Sequence, residues 1–162
     1  MAEFAIIFRW LHVLSGAAWF GEVLLIVFVL VPSVGRLAST ARAPYVTTVF
    51  PSIFRVASVT VALVLLSGLG LNYSLTGWQD IWGYIQSPRG IYVTIGGLLG
   101  LLLGLFHFVV EGKIEKRVLT LVDKVEGDEL KKVMRYLRLI PRAGLVILVV
   151  VFMSMMIAAR GF

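Results

Sequence analysis

The chain contains two histidines, His12 and His107, and each lies inside a long apolar run. Polar side chains are costly within a membrane span, so those that persist there are candidates for function. Imidazole binds haem iron and copper, and it also relays protons. A histidine can instead simply hydrogen-bond a neighbouring helix. The two histidines are therefore candidate metal ligands, with helix packing as the alternative for each.

Small residues accompany both histidines at helical spacing. On a helix, His12 shares a face with Gly16 and Trp19. A second stripe of small residues leads to the other histidine: Gly96, Gly100, Gly104 and His107. Such a stripe is typical of a close helix contact, and it would also admit the edge or face of a porphyrin. Gly16, Trp19, Gly100 and Gly104 are thus candidate haem-binding residues.

Four other side chains could serve a redox site. Met153 and Met156 approach the first histidine in depth, and their thioethers could bind haem iron or Cu(I), although methionine is also a common core filler. Glu22 lies near mid-membrane, so it is expected to be protonated or hydrogen-bonded, with Thr60 as the expected partner. It is also a candidate proton relay. Arg55 could pair with a haem propionate or anchor the chain at the headgroups.

The composition indicates the environment of these residues. Of 162 residues 59% are hydrophobic and 15% charged, with a mean hydropathy of +0.96, which is too little polar surface for a water-soluble globule. The net charge of +6 is distributed over loops, as expected beside anionic lipids, so nucleic acid is not an expected partner. With no cysteine, disulfides, thiol catalysis, iron–sulfur clusters and covalent haem attachment are excluded.

Four apolar runs are long enough to span a bilayer, which takes ~20 helical residues. They cover about residues 4–31, 50–71, 91–110 and 143–159. The first is too long for a cleaved signal peptide and is expected to stay in the mature protein. The sequence therefore predicts an all-α, four-helix, up-down bundle forming a single transmembrane domain over residues 1–162, a multi-pass protein of the cell membrane.

Basic residues predict the orientation. Twelve of the 15 lysines and arginines fall on one side of the spans, which places both termini and the 73–90 loop outside the cytoplasm. In that outer loop Trp78, Trp82 and Tyr84, with Asp80, predict a short helix at the headgroups. On the basic side, residues 111–142 predict an amphipathic helical hairpin that turns near residues 126–128, with partner docking as an alternative role.

The segment from Arg9 to Gly21 carries a recognisable pattern, R-W-L-H-x3-G-x2-W-x-G. It resembles the first helix of small membrane proteins that include copper resistance protein D, the membrane domain of certain bacterial urate oxidases and the integral-membrane protoporphyrinogen oxidases. The resemblance covers that helix and the four-helix layout. It implies a b-type haem or a copper ion near His12, with Trp19 beside it.

If both helices are straight, His12 lies ~20 Å from His107 in depth, too far to share one iron, so two separate haem sites are predicted. The leading interpretation is a haem-b-binding membrane protein that transfers electrons or performs redox chemistry on a small molecule, an oxidoreductase if an enzyme. A quinone or a redox protein would be its exchange partner, and a homo-oligomer is compatible with the sequence. The alternatives are a copper carrier that binds Cu(I) through histidine and methionine, and a non-catalytic structural protein.

Overall fold

The computed structural model describes residues 2–119 and 128–160, and this part of the chain consists of helices joined by short turns, without strands. Its elements are α1 (Ala2–Leu25), a π-helical segment (Ile26–Leu30), α2 (Val31–Arg36), α3 (Ser39–Thr76), α4 (Ile81–Gln86), α5 (Pro88–Leu119) and α6 (Asp128–Arg160). Four stretches are long and apolar enough to cross a membrane: Glu3–Arg36, Ser39–Thr76, Pro88–Val110 and Leu130–Arg160. The predicted all-α fold with four spanning helices is confirmed.

The four long helices form a bundle in which α1 packs on α3, α3 on α5, α5 on α6, and α6 returns to α1. We call the end where α2 ends and α6 begins the basic end, because Arg36, Arg42 and Lys131 lie there. The opposite end, with the chain termini and α4, is the terminal end. Large apolar side chains such as Leu14, Leu66 and Leu102 are exposed around the bundle, as expected for a lipid-facing surface.

The helices extend beyond the spans that hydropathy predicts. The first helix was expected to end before Pro32, but the chain stays helical to Arg36. Proline has no N–H and its ring crowds the preceding turn. Just before it the helix widens, and the N–H of Val31 donates to the carbonyl of Ile26, five residues back. The wide turn lets a helical chain pass the proline.

Both arms of the predicted hairpin on the basic side are helical, since α5 continues to Leu119 and α6 begins at Asp128. The predicted turn at residues 126 and 127 lies outside the described residues. Apolar side chains on these arms join a buried cluster at the basic end: Ile26, Val31, Val34, Val46, Phe50, Phe54, Val118, Val133 and Leu137. The bundle core therefore continues into the polar hairpin instead of ending where the apolar spans end.

The predicted short helix at the terminal end is α4. Gly77 closes α3 with a positive φ of 59°, and its N–H donates to the carbonyl of Tyr73 at 2.8 Å. Asp80 then caps α4, accepting a hydrogen bond from the N–H of Gly83 at 2.9 Å. The indole N–H of Trp78 donates to the amide oxygen of Asn72 at 3.0 Å, which ties the connecting turn to α3.

Candidate functional site

His12 is held by the backbone of α3. Its Nδ1 lies 2.9 Å from the carbonyl oxygen of Val64. A carbonyl can only accept, so we assign the proton of a neutral imidazole to Nδ1, which leaves Nε2 with its lone pair. Among the described residues Nε2 has no hydrogen-bond partner. Metal-ligating histidines share this arrangement, in which the other ring nitrogen donates to a carbonyl or carboxylate.

Gly68 makes this position of the imidazole possible. A Cβ atom at residue 68 would lie 2.9 Å from Cε1 of His12 and 3.0 Å from its Nδ1. Two residues further along α3, Gly70 similarly admits the ring of Phe8. Sequence reasoning missed both residues, although small residues within an apolar helix are typical of close helix contacts.

The other two residues of the predicted His12 face also contact the bundle interior. Gly16 faces Val64, whose Cγ2 would lie 3.4 Å from a Cβ at residue 16, so α3 fills the space predicted there for a macrocycle. Trp19 is 5% exposed and packs in a cluster with Val61, Val64 and Leu148. Both residues therefore position α1 against its neighbours.

His107 lies on α5 and faces a different part of α3. Its Nε2 is 3.2 Å from the hydroxyl oxygen of Ser58, and its ring meets Phe108 edge-on at 5.5 Å between centroids. Ser58 was not predicted as a partner. A serine in an apolar helix carries no sequence signal for which neighbouring helix it will face.

Glu22 contacts the residue that the sequence indicated. The hydroxyl oxygen of Thr60 lies 2.9 Å from Oε2 of Glu22, and it also lies 2.9 Å from the carbonyl oxygen of Ala57. The predicted Glu22–Thr60 hydrogen bond across α1 and α3 is confirmed. It supplies a polar partner for a carboxyl group within an apolar span.

A cavity of about 90 Å³ that is partly open to the surface of the bundle lies between the four long helices, and both Glu22 and His107 line it. Trp19, Phe106 and Gly144 contribute to its otherwise apolar wall. The carboxyl group and the imidazole belong to different spans, α1 and α5. The structure brings them to one cavity, and it leaves His12 outside that lining.

The glycine stripe of α5 is a helix contact. A Cβ at Gly96 would lie 2.9 Å from Cε of Met155, and one at Gly104 would lie 2.9 Å from Cδ1 of Leu65. Gly100 faces Val151 at 3.9 Å. Side chains of α3 and α6 thus occupy the groove in which Gly100 and Gly104 were expected to receive a porphyrin, and the helix-packing alternative accounts for the stripe.

The remaining candidate ligands lie apart from both histidines. Met153 and Met156 are 55% and 42% exposed on the outer surface, while Met155 is the methionine that packs inward. Arg55 is exposed and forms no ion pair within the described residues. In that part of the chain no group of three or more His, Cys, Asp or Glu side chains could hold a metal.

The separation of the two histidines can be read from the positions at which they contact α3. His12 meets α3 at Val64 and Gly68, and His107 meets it at Ser58. Six to ten residues correspond to about 9–15 Å along the helix axis. This is less than the ~20 Å expected from straight helices, and the histidines still contact separate parts of α3.

The fold defines a multi-pass helical membrane protein in which polar side chains, His12, His107 and Glu22 among them, form contacts across the helices. A scan against protein-family models, a search of the curated proteins and a search of the solved structures each found no match to this chain.

Proposed function

We propose that this protein binds haem b through His12 and carries out electron transfer or redox chemistry on a small molecule. One observation carries the proposal. The Nδ1 of His12 is committed to the Val64 carbonyl, which leaves the lone pair of Nε2 available to iron. The first-helix pattern around His12 resembles that of membrane proteins for which a haem or copper ligand is implied at this histidine.

The geometry favours one haem over two. The space beside His107 is about 90 Å³, which is smaller than the cavity of about 150 Å³ that accommodates benzene in another protein, so a porphyrin there would require the helices to separate. His107 also directs its Nε2 to Ser58. A bis-histidine site is disfavoured as well, because the two histidines contact α3 about 9–15 Å apart. These observations favour His12 over His107 as the residue that would hold a single haem.

The residues around His12 would set the properties of such a site. Bound haem would supply one-electron redox chemistry. The Val64 carbonyl fixes the tautomer of the imidazole and makes Nε2 a stronger donor. Arg9 lies three residues before His12, about 4.5 Å along the helix, and is a basic side chain close enough in depth to pair with a propionate. Arg55, at the level of Ser58, lies closer to His107 and does not suit that role.

Copper is the less supported cofactor. A Cu(I) site at His12 would need thioether ligands nearby, but Met153 and Met156 are exposed on the surface of α6 and Met155 packs against Gly96. A quinone or a redox protein remains the proposed exchange partner for electrons, and the basic residues favour an orientation with both termini outside the cytoplasm.

Absorption spectroscopy tests the proposal. The full-length protein is purified from cells supplied with haem precursor, and its Soret band and haem content are measured. We expect about one haem per chain, lost in His12→Ala and retained in the matched variant His107→Ala. A colourless parent protein would refute the haem proposal, and Cu(I) titration of the same sample would then test copper. Haem retained in His12→Ala would refute the assignment of the ligand.

A further inference from the structure

Glu22 and His107 are the titratable side chains that line the central cavity among the described residues. They come from α1 and α5, on different sides of the space. No titratable side chain of α3 or α6 joins that lining, and Arg55, Arg138 and Arg142 on those helices are exposed. The side chain of Glu111, one turn from His107, lies outside the described part of the chain. An acid and a base thus share one cavity in a lipid-embedded bundle.

The carboxyl group faces a hydroxyl that can serve either of its protonation states. A hydroxyl has one hydrogen to donate and lone pairs that accept. Thr60 lies 2.9 Å from both Glu22 and the Ala57 carbonyl, and the carbonyl can only accept. When Glu22 is ionised, Thr60 can donate to it. When Glu22 is protonated, its O–H can donate to Thr60, which then donates to Ala57.

The imidazole faces a hydroxyl in the same way. The Oγ of Ser58 lies 3.2 Å from Nε2 of His107. It can donate to an unprotonated Nε2 or accept from an Nε2–H by rotation about its C–O bond. Each hydroxyl can therefore hydrogen-bond its partner whether that partner is protonated or not. The two contacts are compatible with a proton on either Glu22 or His107.

The cavity has room for the water that would connect the two groups. Its volume of about 90 Å³ exceeds the ~10–15 Å³ that a cavity needs to hold one water. Pro141 also lines the cavity and cannot supply the N–H that the Leu137 carbonyl would receive within an uninterrupted helix. A carboxyl group, an imidazole and a carbonyl that lacks its usual helical donor are partners that an internal water requires.

We propose that this cavity is an intramembrane proton-binding site, in which Glu22 and His107 share one exchangeable proton through water. The proton leaves the carboxylic acid of Glu22, passes through the water and binds an unprotonated nitrogen of His107. A neutral pair becomes a carboxylate–imidazolium pair, and the total charge is unchanged, which limits the cost of ionisation away from bulk water. The site does not depend on haem binding at His12.

Infrared spectroscopy of the full-length protein in lipid nanodiscs tests this site. The variants Glu22→Gln and His107→Gln are compared with the control Glu3→Gln, which removes an exposed carboxyl group of α1, the helix that carries Glu22. We expect a protonated-carboxyl band that exchanges in D₂O, disappears in Glu22→Gln, shifts in His107→Gln and is unchanged in Glu3→Gln. If His107→Gln does not fold, Ser58→Ala perturbs the same imidazole and should shift the band. Absence of the band at every pH, or a band insensitive to both substitutions at the His107 side, would overturn the proposal.

Filling the cavity tests the role of water separately. A Cβ at Gly144 would meet Leu103 at 3.8 Å, an ordinary contact, so Gly144→Leu is expected to fold with its side chain in the cavity. Gly97→Leu is the matched control, because a Cβ at residue 97 meets nothing within 4 Å. We expect D₂O exchange of the Glu22 band to be lost in Gly144→Leu and kept in Gly97→Leu. Equal exchange in the two folded variants would overturn the water connection.

Discussion

The contact between Gly68 and His12 offers the sharpest test of the proposed ligand. In Gly68→Ala the new methyl carbon would lie 2.9 Å from Cε1 of the imidazole, whereas carbon atoms in contact prefer about 3.5–4.0 Å. The ring must therefore move by about half an ångström or more. That movement would lengthen or bend the hydrogen bond between Nδ1 of His12 and the Val64 carbonyl oxygen, which is 2.9 Å long.

Two magnitudes follow from this displacement. Overpacking of one methyl group costs typically about 1–3 kcal/mol of folding stability. Loss of a partner that orients a metal ligand costs about 10–100-fold in affinity. We expect Gly68→Ala to bind haem about 10–100-fold more weakly while remaining folded.

The assay is haem titration of the apoprotein in detergent, followed by absorbance, with unfolding in SDS measured on the same preparations. Gly97→Ala is the control, since its added Cβ has nothing within 4 Å. If Gly68→Ala and Gly97→Ala have the same Kd for haem, then the position of the His12 ring does not govern haem binding. Reduced stability with an unchanged Kd would assign Gly68 to helix packing alone.

Three further predictions concern topology and packing. A reporter fused to the C terminus should be active only outside the cytoplasm, and one inserted in the loop between α5 and α6 only inside it; the reverse pattern would invert the proposed orientation. Thr60→Val should lower the free energy of unfolding in SDS by about 1 kcal/mol because the hydrogen bond between Thr60 and Glu22 is lost, and Thr60→Ser should not. Gly104→Leu should destabilise the bundle by about 1–3 kcal/mol or more, since even its Cβ would lie 2.9 Å from Leu65, whereas an effect of equal size in Gly97→Leu would contradict a packing role for the stripe.

Hydropathy predicted the number of spanning helices because the energy of burying side chains in lipid depends on composition along the chain. It did not predict where the helices end. Pro32, Pro51 and Pro141 look like boundaries in the sequence, but all three lie within continuous helical stretches. Inside a bundle the groups that a proline frees can be satisfied by neighbouring helices, water or a local change of helix type.

The contacts of the site were predictable only where a single partner was available at the right depth. Glu22 sits in an apolar helix and Thr60 is a hydroxyl at a similar depth on the next span, so that pair could be inferred. The contacts of His12 with Gly68 and of His107 with Ser58 depend on how each helix rotates and tilts against α3. The ~20 Å offset in depth between His12 and His107 assumes untilted helices. The contacts of the two histidines with α3 correspond to a smaller separation.

The π-helical segment of the first span has a consequence for how this chain tolerates changes in length. A π turn holds one residue more than an α turn, and the helix on either side keeps its register. Deletion of one residue within Ile26–Leu30 would therefore restore a regular α-helix, with Glu22 and Val34 still facing the core. In α3, which is described as α-helical from Ser39 to Thr76, the same deletion would rotate one half against the other by about 100°. Within the described chain, the first span is the membrane helix in which one residue can be lost without turning its polar groups towards lipid.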